Sequence, residues 1–358
     1  MQTKLLAVVM LVASYPNLAV AKTEVIEEAA KVEALLPPHV GTCVMAMKDG
    51  KVVFEHSYGV ADIETKTPCT PETNFRLASV SKQFTATAIM LLVDRGKLSL
   101  DDKLTKFFAG FPKYAEEITV KQLLTHTSGL PAYEDLIPKG TTLQLDDYDV
   151  LHLLMDTTEP KFAAGSKWEY SNSGYTLLGL IVEQVAQKPF HDFMKSEIFT
   201  PLGMDESVVY QRGLNEVSHR AYGHAKKDGQ WVKSDQSLTS AVRGDGGVYT
   251  SLRGYEKWTT GIDEQKLLTK ASYEAMFSPQ ALTSRKGSHY GYGWFIDEYR
   301  GEPRIQHGGD TAGFREFSQR FPSRHAALLL QFNNNVESNT LEKASERVAD
   351  LLIFGDDQ

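Results

Sequence analysis

Apolar positions change period twice along the chain, and the changes divide it into three blocks. In the first, Val25, Ile26, Ala29, Val32 and Leu36 recur at helical spacing and predict an amphipathic helix over 23–36, stopped by Pro37-Pro38. Two short apolar runs follow, 42–48 and 51–56, separated by Asp49-Gly50. Asp-Gly between such runs is a strong signal for a two-residue β-hairpin. In the middle block the spacing is helical over 118–124, 147–155, 174–187 and 190–199, with Gly- and Pro-bearing connections. The last block returns to β-rich runs at 290–299, 303–306, 314–321 and 326–332, then closes on a helix over 340–353.

This order implies an α+β fold: one antiparallel β-sheet built from both chain ends and flanked by helices, with a mostly helical lobe inserted between them. The expected lobes are 22–95 with 240–358, and 96–239, together forming a single domain over 22–358. A seam between two such lobes is a common place for an active site.

Composition adds constraints. Hydrophobic content of 42% and charged content of 23% describe an ordinary globular chain. A net charge of −8 argues against nucleic acid or an anionic membrane surface as partner. At the N-terminus, Lys4, the apolar run 5–12 and Ala19-Val20-Ala21 form the three parts of an export signal, expected to occupy 1–21 and to be cleaved after Ala21. The expected location is therefore the periplasm or the medium, with no stable membrane anchor. Cys43 and Cys69 are the only cysteines, and they suit either one disulfide or two buried thiols. The paired Cys or His spacing of a metal site is missing, so no metal and no organic cofactor is expected.

One apolar helix opens with candidate chemistry. Ser79 and Lys82 stand three residues apart just before the apolar run Ala86 to Val93. Residues at i and i+3 share a helix face. A serine hydroxyl becomes a useful nucleophile only with a base in hydrogen-bond reach, and lysine serves as that base when desolvation or a second cation lowers its pKa. The same spacing also fits a serine cap followed by a solvated lysine.

Two later stretches could complete an acyl-transfer site. Tyr170-Ser171-Asn172 offers a phenol able to relay a proton and an amide able to donate to a carbonyl. His307-Gly308-Gly309-Asp310 ends a β-rich run, where glycines admit close approach of a ligand and an edge N–H can stabilise an oxyanion. His126, within the helical block, reads as structural.

Ser79-x-x-Lys82, Tyr170-Ser171-Asn172 and His307-Gly308-Gly309, in that order, resemble the motifs of the serine β-lactamase and penicillin-binding protein superfamily. The likeness is to the branch of class C β-lactamases, family VIII esterases, D-aminopeptidases and D-alanyl-D-alanine carboxypeptidases. It extends to Leu123-Leu124-Thr125-His126-Thr127-Ser128-Gly129-Leu130, to Pro201-Leu202-Gly203-Met204 and to Gly246-Gly247-Val248-Tyr249-Thr250-Ser251. The resemblance implies a β-lactamase/transpeptidase-like fold. It implies Ser79 as acylated nucleophile, with Lys82 and Tyr170 sharing general-base and general-acid duty. Asn172 would bind the substrate carbonyl, and the N–H groups of Ser79 and Asp310 would form the oxyanion hole.

The chain departs from that pattern at its third motif. No Lys-Thr-Gly occurs; His307 takes the lysine position and Gly308 the threonine position. A neutral imidazole offers a hydrogen bond with little charge at pH 7, so His307, Gly308, Gly309 and Asp310 form a substrate wall poorly suited to a carboxylate. The leading expectation is an exported serine hydrolase of small-molecule esters, amides or peptides, cell-wall-derived peptides included, with esterase-like or D-amino-acid peptidase-like activity. β-Lactamase or D-alanyl-D-alanine carboxypeptidase activity and a non-catalytic peptidoglycan-binding protein are the alternatives. A conventional α/β-hydrolase is disfavoured because no Gly-x-Ser-x-Gly occurs.

Overall fold

The computed structural model describes residues 16–355. Most of the expected export segment, 1–15, lies outside them. Helix α1 is described over Pro16–Leu35, beginning N-terminal to its expected bound at residue 23, with no Gly or Pro between Pro16 and Pro37.

β1 (Gly41–Lys48) and β2 (Lys51–Asp62) form the expected hairpin. Asp49 and Gly50 both take positive φ, 52° and 71°, the backbone that a tight two-residue turn between twisted strands requires. β3 (Thr67–Pro68) pairs outside β2. The remaining strands of this sheet come from the last third of the chain. They are β4 (Ala281–Leu282), β5 (His289–Tyr290), β6 (Phe295–Tyr299), β7 (Glu302–Thr311), β8 (Phe314–Phe321) and β9 (Ala326–Phe332). The order is β3-β2-β1-β9-β8-β7-β6-β5-β4, with antiparallel neighbours throughout. The chain ends thus meet in one sheet, where β1 pairs β9 with Val44 opposite Leu330 and Met45 opposite Leu329. The expected run 290–299 is two strands, because Gly291 to Trp294 form a turn with Gly293 at φ 84°.

Strands buried on both faces need apolar residues at every position. β1 sends Cys43, Met45 and Met47 into one core and Val44 and Ala46 into the other. The larger core lies under α2 (Lys82–Asp94), α3 (Val120–Leu124), α4 (Asp147–Met155), α5 (Asn172–Ala186) and α6 (Leu252–Asp263). The second lies under α1 and α7 (Ser338–Ala349). α2 is buried on nearly every side, and its Phe84 stacks on Trp258 of α6 with ring centroids 4.1 Å apart. Such a pair contributes about 0.5–1.5 kcal/mol beyond its buried area. This packing fixes the N-terminal end of α2, where the candidate nucleophile sits. Cys43 and Cys69 are buried free thiols, with the Cys43 sulfur 3.2 Å from Ser57 Oγ.

Candidate active site

Ser79 lies in a 3₁₀ turn, Ala78–Ser81, that runs directly into α2, so Lys82 is the first α-helical residue. In a 3₁₀ turn, residues i and i+3 eclipse one another. The Lys82 side chain is fully buried, and its Nζ stands 3.1 Å from Ser79 Oγ. Two further acceptors take the amine, Asn172 Oδ1 and the Asp245 carbonyl, both at 2.8 Å. Those two bonds use two N–H groups and direct the remaining position of the nitrogen toward Ser79. In a neutral amine that position is the lone pair, facing the Ser79 hydroxyl.

Asn172 opens α5, and the preceding Ser171 caps it by accepting from the Gly174 N–H at 3.1 Å. Asn172 presents Oδ1 to Lys82, and its Nδ2 donates to Glu134 Oε1 at 2.7 Å. Tyr170 lies on the other side, with its ring centroid 5.0 Å from Lys82 Nζ. Its phenolic oxygen is buried and has no hydrogen-bond partner among the described residues. The structure therefore brings Tyr170 to the lysine by its ring rather than through a hydrogen bond to Ser79 or Lys82.

β7 forms the facing wall. β6 stops pairing at Phe295 opposite Gln306, which leaves the 307–311 edge of β7 open. Gly309 permits this strand to reach the turn that carries Ser79, since a Cβ there would lie 2.4 Å from the Leu77 carbonyl oxygen. Ser79 opens on a cavity of about 420 Å³ that Tyr170, His307, Gly308, Gly309 and Asp310 also line.

His307 differs from its expected role. Its Nδ1 lies 2.7 Å from the Gly308 carbonyl and its Nε2 3.0 Å from the Tyr290 hydroxyl. A carbonyl only accepts, so Nδ1 carries the proton and Nε2 accepts from Tyr290. Burial first, and the Lys82 charge second, push the ring pKa down to about 3. With both nitrogens engaged, His307 supplies a neutral wall rather than a hydrogen bond to substrate. The Asp310 carboxylate is likewise engaged, by Arg315 at 2.8 Å and Ser338 Oγ at 3.0 Å, which leaves its main chain as the group facing the site.

The structure adds residues that the motifs did not single out. His126 is buried at φ 59° and packs its ring 4.4 Å from those of Tyr170 and Tyr290. Its Nδ1 accepts from the Ser171 N–H and its carbonyl from the Glu169 N–H, both at 3.0 Å, so it holds the Tyr170 segment at two points. Burial first, and the charge of Lys82 second, lower its pKa well below the ordinary range and keep it neutral. Asp245 lies beneath Lys82, and burial pushes its carboxyl up to about 6 against the pull of the Lys82 charge. Tyr133 donates to that carboxyl at 3.2 Å. The signal for His126 was its place beside Thr127-Ser128-Gly129 in a motif; Glu134 and Asp245 carried none. Among the described residues, no group of three His, Cys, Asp or Glu side chains could hold a metal ion.

Comparison with known proteins places this geometry. The beta-lactamase family model matches residues 31–352. The chain is 31% identical over 327 residues to penicillin-binding protein 4* of Bacillus subtilis strain 168, covering 87% of this chain and 72% of that one. It is 28% identical over 307 residues to protein flp of Staphylococcus aureus strain NCTC 8325 / PS 47, covering 83% and 60%. Among solved structures it resembles D-amino acid amidase from Ochrobactrum anthropi SV3 complexed with L-phenylalanine amide, with a TM-score of 0.80 and 25% identity over 91% of this chain and 98% of that one. The penicillin binding protein of Bacillus halodurans matches with a TM-score of 0.78 and 26% identity over 90% and 98%. From the extent of the family match and the sheet shared by both chain ends, the chain belongs to the beta-lactamase family.

Proposed function

We propose that this protein is a serine hydrolase that cleaves a neutral ester or amide through an acyl-enzyme on Ser79. Lys82 takes the Ser79 proton, and Oγ attacks the substrate carbonyl. The developing oxyanion is held by the N–H groups of Ser79 and Asp310. Tyr170 protonates the leaving atom, and a water then attacks the acyl-enzyme with its proton returning through the same groups. The observation that carries this reading is the buried Lys82 amine, held by Asn172 and the Asp245 carbonyl with its third position 3.1 Å from Ser79 Oγ. The similarity to the Ochrobactrum D-amino acid amidase, whose structure is a complex with L-phenylalanine amide, supports an acyl-transfer substrate of this kind.

Charge argues for neutral substrates. His307 is neutral and engaged on both nitrogens, while Arg285 and Arg315, the cations lining the cavity, are paired with Glu342 at 2.6 Å and Asp310 at 2.8 Å. A substrate carboxylate would meet only cations whose charge a protein carboxylate already offsets, so esters and amides without a free carboxylate are favoured over β-lactams and D-alanyl-D-alanine peptides. We also propose export through the 1–21 segment; among the described residues no helix is long and apolar enough to cross a membrane. The N-terminal sequence of the protein made by its own host checks this, with Lys22 expected first and an intact Met1 contrary to it.

The test of function is one panel on one preparation: short-chain p-nitrophenyl esters, D-amino-acid amides and nitrocefin, each with Ser79→Ala as control. The expected result is Ser79-dependent turnover of esters or amides, with nitrocefin poorest. Turnover that survives Ser79→Ala overturns the nucleophile, and nitrocefin as the best substrate overturns the charge argument.

A further inference from the structure

Two cavities meet at the nucleophile, and their shapes divide a substrate. Ser79 and Asp310 line both, so a carbonyl bound at Ser79 sits at their junction. The larger, about 420 Å³, takes its apolar walls from Trp168, Tyr170, Phe295, Phe317 and Leu341. The smaller, about 70 Å³, is polar, with Glu134, Asn172, Thr239 and Asp245 among its walls. For comparison, an apolar cavity of about 150 Å³ holds a benzene.

Tyr170 lines the larger cavity only and Asn172 the smaller only. The group that protonates a leaving atom must stand on that atom's side of the scissile bond. If Tyr170 is that acid, as the proposed mechanism has it, the larger cavity takes the leaving group and the smaller one the acyl group.

The larger cavity spans both faces of β7, because β6 ends opposite Gln306 and leaves the edge beyond it open. Gly308 sits on that edge. A Cβ there would meet the Phe317 ring at 3.6 and 3.9 Å and the Glu316 carbonyl oxygen at 3.8 Å, all ordinary contacts. Its φ lies outside the left-handed region. Neither packing nor backbone therefore demands glycine at 308, in contrast to Gly309. What the glycine leaves is space, in the half of the cavity walled by Phe317 and Leu341.

We infer that Gly308 is a specificity-determining residue, opening a leaving-group subsite for bulky apolar alcohols or amines, and that the acyl group of the substrate is short. This rests on the serine-hydrolase reading of Ser79 and Tyr170.

The test compares kcat/KM for phenyl acetate and 2-naphthyl acetate, whose leaving groups differ in size but little in basicity, and for phenyl acetate and phenyl octanoate. Wild type, Gly308→Ala and Gly308→Val are assayed. The naphthyl-to-phenyl ratio is expected to fall in that order, at least tenfold by valine, while the octanoate-to-acetate ratio stays within about threefold. A small fluorophosphonate that labels Ser79 reports whether each variant is folded; if valine is not, the alanine step carries the test with a fall of about threefold. An unmoved naphthyl ratio, or a larger change along the acyl series, overturns the assignment. Absence of Ser79-dependent hydrolysis in wild type would instead defeat the underlying mechanism.

Discussion

Replacing His126 separates its two contributions. Its Nδ1 is the acceptor for the buried Ser171 N–H, and its backbone sits at φ 59°. His126→Ala leaves that N–H unpaired, at about 1–3 kcal/mol, and alanine keeps the left-handed backbone that histidine already bears. Loss of the ring between Tyr170 and Tyr290 adds a cavity term. Together the lost acceptor and the cavity cost at least about 2 kcal/mol. His126→Asn keeps an acceptor near the Nδ1 position and tolerates this backbone, and His126→Gly relieves the backbone while losing the acceptor. Thermal unfolding is expected to rank the variants Asn, then Gly, then Ala. The rate at which a fluorophosphonate labels Ser79 reads the site. A shift of about 1 Å in the Tyr170-Ser171-Asn172 segment costs on the order of a hundredfold, so Ala and Gly are expected to label about a hundredfold slower than wild type and Asn within about tenfold. Equal labelling of Ala and Asn would refute the claim that His126 positions this segment.

Two further outcomes follow from the charges around Lys82. The folded pKa of Asp245, about 6, lies above its ordinary 3.8, so the folded state holds the proton more tightly. Its stabilising contribution is full below about pH 4 and lost as pH rises through 6. The groups facing it are Lys82, Asp147, Glu134 and Arg76, with Tyr133 donating to it. The Tm of wild type minus that of Asp245→Asn is expected to fall between pH 4 and pH 7, and a flat difference would contradict the raised pKa. His307→Lys replaces a neutral ring beside Lys82 with a cation, and should raise kcat/KM for a carboxylate-bearing amide relative to a neutral ester. An unchanged ratio would mean that position 307 does not select on charge.

Features with local causes were legible in the chain. Asp49-Gly50 carries its turn in two residues, and alternation or helical spacing located most elements on either side of the insert. The Ser79-Lys82 contact follows from one helical turn. Features set by long-range packing were not legible. Asp245 reaches Lys82 from far along the chain, Glu134 meets Asn172 through a short helix, and neither belongs to a motif. His126 read as structural from its place within the helical block. Its link to the site is a main-chain bond to Ser171, which no residue type announces. For His307 the residue type suggested a free hydrogen-bonding ring, and only the placement of Tyr290 and Gly308 shows where its nitrogens go.

The central claim is that Ser79 is a nucleophile made reactive by Lys82, and covalent labelling tests it most directly. Intact mass and peptide mapping after fluorophosphonate treatment should find a single adduct, on Ser79, in wild type and none in Ser79→Ala. Members of one catalytic unit fail together, so Lys82→Ala should slow labelling by about a thousandfold or more while the protein remains folded. An adduct that persists without Ser79, or labelling of Lys82→Ala within tenfold of wild type, would contradict it.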